Sequence, residues 1–222
     1  MAFRSPSFDA VQEVSVGNVV LGRAPVKIIS SVCAATAEEM IEQAKAIEAS
    51  GADIIEWRAD YFADDTSWQE AVAAMKAVVT KPVIYTFRSQ SEGGVRTEPM
   101  SSTTWRKKVL AAIDSKLFDA VDIEFDRGRA EFLVEAARKA GIVSIVSWHS
   151  FVPGEYDEEL GYFGKLEQMS YTGADVLKIV AMPDKGIDIA RFIEEVSVIR
   201  AEFNAPQPLI AMCMGKTGAV TR

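Results

Sequence analysis

The sequence predicts an α/β fold built on a parallel sheet, and three observations point there. Short apolar runs alternate with amphipathic stretches along most of the 222 residues. The apolar runs are near-continuous, as in strands covered by helices. Ionisable residues interrupt them toward one end, in strand after strand. Strands separated by helices imply right-handed crossovers and parallel pairing. Two architectures qualify: a doubly wound open sheet, or a (β/α)8 barrel of the TIM type lacking its eighth βα unit. No linker, repeat or low-complexity tract divides the chain, so one domain over residues 1–222 is expected.

Taken in order, "EVSVGNVVLG" (residues 13–22) reads as a β-hairpin around Gly17-Asn18. This N-terminal hairpin, about residues 13–24, is expected to cover the N-terminal mouth of a barrel. A strand follows over Val26–Ala34, then a helix with Thr36 as N-cap, Glu39 completing a capping box and Gly51 as C-cap. "DIIEWRAD" is a strand and "SWQEAVAAMKAVVT" a helix. "PVIYTFRS" precedes a helix over Ser101–Leu117. "AVDIEFD" precedes one over Arg129–Gly141, "VSIVSWHS" one over Glu155–Gly173, and "VLKIVAMP" one over Ile187–Phe203. "PLIAMCMG" is the seventh strand of this series.

Composition narrows the function. The net charge of −8 argues against nucleic-acid or anionic-membrane partners, which need an excess of Lys and Arg. Cys33 and Cys213 lie in separate apolar runs and read as buried free thiols in a reducing compartment. No signal peptide or membrane-spanning run is evident, so a soluble cytoplasmic protein is expected. "GKTG" (Gly215–Gly218) lacks the earlier glycine of a phosphate loop, because Ile210 stands there, and no G-x-G-x-x-G occurs.

The informative residues are polar ones inside strands. Glu56 and Arg58 are two apart and share a face, as do Asp122 and Glu124. Arg88, His149, Lys178, Met212, Met214 and Lys216 sit toward strand ends. Each alone reads as an ordinary ion pair, structural histidine or core methionine; together they describe a site for an anionic, polyhydroxylated ligand. Lys178 stands out, because an unpaired ammonium in an apolar strand is unfavourable. Burial favours the neutral amine, which can form an imine with a ketone. His149, the single histidine, has an intrinsic pKa suited to moving a proton beside that imine. Arginine grips a carboxylate with two hydrogen bonds. Lysine, histidine and arginine together suggest covalent β-elimination on a keto acid.

The segments "IIEWRADYF", "PVIYTFRSQSEGG", "VDIEFD", "SWHSF", "ADVLKIVAMP" and "PLIAMCMGKTGAVTR" resemble, in order, those of the type I 3-dehydroquinate dehydratases. The resemblance spans Val26 to Arg222 and implies the barrel. It implies dehydration of 3-dehydroquinate to 3-dehydroshikimate, a shikimate-pathway step, without metal or diffusible cofactor, by a homodimer. It implies that Lys178 forms the Schiff base, that His149 is general base and acid, and that Glu92 orients it. Arg222 would hold the substrate carboxylate, Glu56, Arg58 and Arg88 would bind hydroxyls and position the ring, and Met212 and Met214 would line the pocket. Two departures are Ser150, where the family often has an acidic or amide residue, and an end of the chain before the family's eighth strand and lid. Two alternatives stay open on the residues: a non-catalytic barrel remnant serving binding or dimerisation, and another Schiff-base barrel enzyme such as an aldolase. Joint retention of Lys178, His149, Glu92 and Arg222 favours the dehydratase.

Overall fold

The computed structural model describes residues 11–98, 100–156, 159–199 and 205–221. A two-stranded antiparallel hairpin, β1 (Val14–Val16) and β2 (Val19–Leu21), precedes the sheet. The alternation then runs β3 (Ile29–Val32), α1 (Ala37–Glu48), β4 (Ile54–Arg58), α2 (Trp68–Lys76), β5 (Val83–Thr86), α3 (Ser102–Ser115) and β6 (Ala120–Glu124). It continues α4 (Ala130–Ala140), β7 (Val143–His149), α5 (Gly161–Ser170), β8 (Val176–Ala181), α6 (Gly186–Val198) and β9 (Leu209–Cys213). Seven strands pair in parallel in chain order, from β3 to β9. A doubly wound sheet reverses its strand order at a switch point. None occurs here, so the curled sheet is of barrel type. Among the described residues no helix is long and apolar enough to cross a membrane.

Strand alternation sorts side chains onto two faces. Ile55, Trp57, Val83, Tyr85, Val121, Ile123, Val146 and Leu177 join the helices in the larger core. The opposite face carries a smaller cluster: Ile54, Ile84, Ala120, Ile145 and Val176, packed with Val14, Val16 and Leu21 of the hairpin. The hairpin therefore closes the N-terminal end of the sheet, as expected. Above that apolar floor, along the same inner face, the polar residues begin.

Several boundaries differ from expectation. α1 begins after Thr36, whose hydroxyl accepts from the Glu39 N–H, while the Glu39 carboxylate accepts from the Ala35 N–H. It ends at Glu48 with Ala49 as cap, because Ser50 turns the chain by bonding the Ile47 carbonyl. Gly51 is beyond the cap. β3 is shorter than Val26–Ala34; it has one neighbour, β4, and Val26 and Ile28 are exposed. The fifth helix starts at Gly161 rather than Glu155, because the loop before it is tied across the sheet by the Gly154 N–H to the Met182 carbonyl. The end expected for the last helix, Phe203, lies outside the described residues. Cys213 is buried but Cys33 is only half-buried, being near the polar end of the inner face.

Ile54 is fully buried in the apolar floor. Ile54→Ala is expected to lower unfolding free energy by about 2–5 kcal/mol, measured as a fall in urea midpoint at unchanged slope.

Candidate active site

Lys178 enters the inner face from the middle of β8. Its Nζ lies 3.2 Å from Glu56 Oε1 on β4 and 3.1 Å from Asp122 Oδ2 on β6. Both carboxylates have further partners. Glu56 accepts from Ser31 Oγ at 2.5 Å and Thr86 Oγ1 at 2.9 Å. Asp122 accepts from Ser147 Oγ at 2.6 Å and Arg88 Nη2 at 2.8 Å. Burial opposes ionisation of Glu56, but attraction to Lys178 and the Ser31 bond outweigh it and hold its pKa at about 2. Asp122 is likewise held at about 2, burial being overcome by Arg88 and Lys178. Burial is thus not the only influence on Lys178: two firmly ionised carboxylates flank it.

Arg88 follows β5 and is only 3% exposed. Its guanidinium donates to Asp122, to Glu124 Oε1 at 3.2 Å and to Ser147 Oγ at 3.0 Å, and reaches Glu92 Oε2 at 3.5 Å. Burial works against its charge, but Asp122, Glu124 and Glu92 more than offset this and raise its pKa. Glu124 also accepts the Ser89 N–H at 2.7 Å.

Glu92 ends a single 3-10 turn, Gln90–Glu92. Two glycines make that turn possible. Gly93 has φ +85°, and a Cβ there would strike the Phe151 ring; a Cβ on Gly94 would strike the Arg88 carbonyl. Phe151 stacks on His149 at 6.4 Å, so the close approach at Gly93 brings the glutamate to the imidazole. His149 Nδ1 lies 2.8 Å from Glu92 Oε2. Burial, then Arg88 and Lys178, push the His149 pKa well below its ordinary value, so the imidazole is neutral at pH 7. Burial and the like charge of Glu124 push Glu92 up to about 9. The pair therefore exchanges protons as a unit. With Glu92 ionised and the proton on Nδ1, Nε2 is a free base; with one more proton on the pair, Nε2 carries a transferable hydrogen.

The other residues singled out in the sequence fall around this centre. Arg58 pairs with Asp60 through two bonds of 2.8 Å and lies over the Tyr61 ring. Met212 and Met214 are half-buried at the end of β9; Met212 is in register with Val180, two residues beyond Lys178. Arg222 lies outside the described residues. Sequence reasoning passed over Asp122 as a site residue, although its spacing with Glu124 was visible in "VDIEFD". Ser31, Thr86 and Ser147 carried no signal, because serine and threonine in strands are commonplace.

These shifts set the pH dependence of stability. Glu56 and Asp122 have folded values below the unfolded 4.5 and 3.8. Their contribution is present above those values and is lost as pH falls toward 2. Glu92 has a folded value above its unfolded 4.5. It binds a proton in the folded state that the unfolded chain has released, so stability declines as pH rises from about 4.5 to 9. The depressed His149 value acts oppositely below the unfolded 6.5, so urea unfolding from pH 6.5 to 9 should show the decline, and Glu92→Gln should flatten it.

A family model described as type I 3-dehydroquinase matches residues 28–222. A 3-dehydroquinate dehydratase of Salmonella agona is 33% identical over 218 residues, covering 96% of this chain and 84% of the relative. One from Klebsiella pneumoniae is 34% identical over 215 residues, covering 94% and 84%. The crystal structure of a type I 3-dehydroquinate dehydratase from Clostridium difficile, with covalently modified comenic acid, superposes with a TM-score of 0.88. It is 27% identical, and the match covers 96% of this chain and 85% of that one. The 3-dehydroquinate dehydratase of Geobacillus kaustophilus gives 0.86 at 26% identity, covering 95% and 82%. With a parallel barrel-type sheet, a lysine between two carboxylates and a histidine bonded to a glutamate already in place, this chain belongs to the type I 3-dehydroquinase family.

Proposed function

We propose that this chain removes water from 3-dehydroquinate to give 3-dehydroshikimate, in the shikimate pathway, through an imine on Lys178. The observation that carries this reading is Lys178 held between Glu56 and Asp122, with the Glu92–His149 pair at the end of the neighbouring strand. Lys178 releases one ammonium proton and its nitrogen adds to the ketone carbon; that proton and a second one from the nitrogen leave with the carbonyl oxygen as water. The protonated imine places a positive charge where the ammonium had been, between the same two carboxylates, which stabilise it without rearrangement. His149 Nε2 then takes a proton from the adjacent carbon, and the electron pair moves toward the iminium nitrogen. The resulting enamine expels the β-hydroxyl, which receives the proton back from His149 and departs as water. A further water hydrolyses the protonated imine and releases product and the Lys178 ammonium.

In this reading Arg58 and Glu56 meet the substrate's hydroxyls, Arg88 fixes the carboxylates that frame the ring, and Met212 and Met214 wall the pocket. Arg222 grips the carboxylate of the substrate. We also infer a cytoplasmic homodimer without nucleic-acid or membrane partners, supported by the net charge of −8 and by the resemblance of the motifs.

The decisive experiment is borohydride reduction in the presence of 3-dehydroquinate, followed by peptide mass measurement. The expected result is a reduced adduct on Lys178 that is absent from Lys178→Ala. An adduct on Lys216 would overturn the assignment of the nucleophile, and absence of any adduct would overturn the imine mechanism. His149→Ala should still form the imine but lose about 10²–10⁴-fold in turnover. Because the base form of the Glu92–His149 pair accumulates as protons are lost, kcat/KM should climb toward alkaline pH, and Glu92→Gln should displace that limb.

A further inference from the structure

A cavity lies on the opposite side of the sheet from Lys178. Its volume is about 280 Å³, near the lower end of ligand pockets, which run from roughly 300 Å³ upward. The helices explain why it exists. α1 packs on α2, α3 on α4 and α5 on α6, whereas α2 and α3 are not in extensive contact. The gap between them is floored by the helix-facing side chains of β4 and β5.

Two features of its wall call for a partner. Trp57 Nε1 is buried and has no hydrogen-bond partner. Tyr85 is buried, and its hydroxyl makes no hydrogen bond among the described residues and keeps contact with the solvent side of the cavity. Both residues line the same cavity. A buried unpaired donor is destabilising by about 1–3 kcal/mol, and packing does not explain the one at Trp57. Burial, reinforced by the charge of Asp65, pushes the Tyr85 phenol up, so it stays a neutral donor.

The remaining lining sets the shape and charge of an occupant. Trp57 and Trp68 stack at 6.0 Å, and Phe62 and Phe87 complete an aromatic wall. Lys108 is already balanced by Asp65 at 2.7 Å. Lys107 also lines the cavity, is exposed, and has no ion-pair partner among the described residues. The charge left over is therefore positive and at the solvent side, while the unused hydrogen-bond donors are on buried residues.

We propose that this cavity is a second binding site, separate from the Lys178 centre, for a small aromatic carboxylate bearing an oxygen across the ring from its carboxyl group. The ring packs against the tryptophans, the carboxylate pairs with Lys107, and the far oxygen accepts from the Tyr85 hydroxyl. Such a molecule would report on the outer face of β4 and β5, whose inner faces carry Glu56, Arg58 and Thr86.

The probe is 4-hydroxybenzoate, titrated by calorimetry and by the indole N–H resonance of Trp57, assigned with Trp57→Phe. Saturable binding is expected, with a displaced Trp57 indole resonance and unchanged affinity in Lys178→Ala. Lys107→Glu should weaken binding about tenfold or more, the loss expected for one charged contact. Tyr85→Phe and the probe benzoate, each removing one side of the polar contact, should weaken it severalfold. Absence of saturable binding to the wild-type chain would overturn the proposal. So would binding that disappears in Lys178→Ala and ignores Lys107→Glu, because the probe would then occupy the central site.

Discussion

The arrangement of the site depends on one buried guanidinium. Arg88 touches Asp122, Glu124, Glu92 and Ser147, which come from β6, β7 and the loop after β5. Without it, three carboxylates would face one another in a desolvated interior. Removing one partner from a buried ion pair destabilises by about 3–5 kcal/mol, because the charge left behind has no water to turn to. Arg88 therefore explains why acidic residues can crowd around Lys178, and why Glu92 can come within hydrogen-bonding distance of His149. Asp122 links the two halves, since the same Oδ2 meets Arg88 at 2.8 Å and Lys178 at 3.1 Å.

That cluster is tolerable because the inner face is divided along its length. Ile54 and Glu56 are neighbours on one face of β4, as are Ala120 and Asp122 on β6, and Val176 and Lys178 on β8. In each pair the residue nearer the N-terminal end belongs to the apolar floor under the hairpin, and the next one up belongs to the ion network. The period-two alternation of strands makes this division possible. The floor excludes water from below, so the electrostatic interactions above it act at low effective dielectric. Residues between these positions, such as Ile55 and Leu177, face the helices and supply the main core.

What the sequence revealed follows from how local each signal was. The strands, the hairpin and the N-cap at Thr36 rest on adjacent residues, and they were legible. Lys178 was legible because a charged residue in an apolar run is anomalous by itself, His149 through its place among the other strand-end polar residues, and Glu92, in the polar run "SQSEGG", only through the family resemblance. The start of α5 was not, because a backbone bond from Gly154 to Met182 decides it. Nor was the part played by Asp122, since its contact with Lys178 spans 56 positions. The cavity between α2 and α3 left no trace either: Trp57 and Tyr85 alternate with the inner-face residues as any core strand residue does, and the gap above them depends on how the helices pair.

The four carboxylates around Arg88 and Lys178 do not behave alike, and the difference assigns their work. Glu56 and Asp122 each touch Lys178 and are held at about 2. They are fixed negative charges, suited to framing a cationic imine and unsuited to taking its protons. Glu92 and Glu124 lie on the far side of Arg88, share its guanidinium, with Glu124 also 3.7 Å from Arg127 Nε, and are both raised. Glu92, pushed up to about 9, is the member of the network suited to carrying a proton, and it meets His149 across 2.8 Å. Environments that push titratable groups apart separate static from proton-carrying roles. An anionic substrate entering this interior adds negative charge and favours protonation of the raised pair over the depressed one. Substrate binding and the protonation of the Glu92–His149 unit are thereby coupled through Arg88, with the imine charge at Lys178 supplying the opposing pull once the covalent bond has formed.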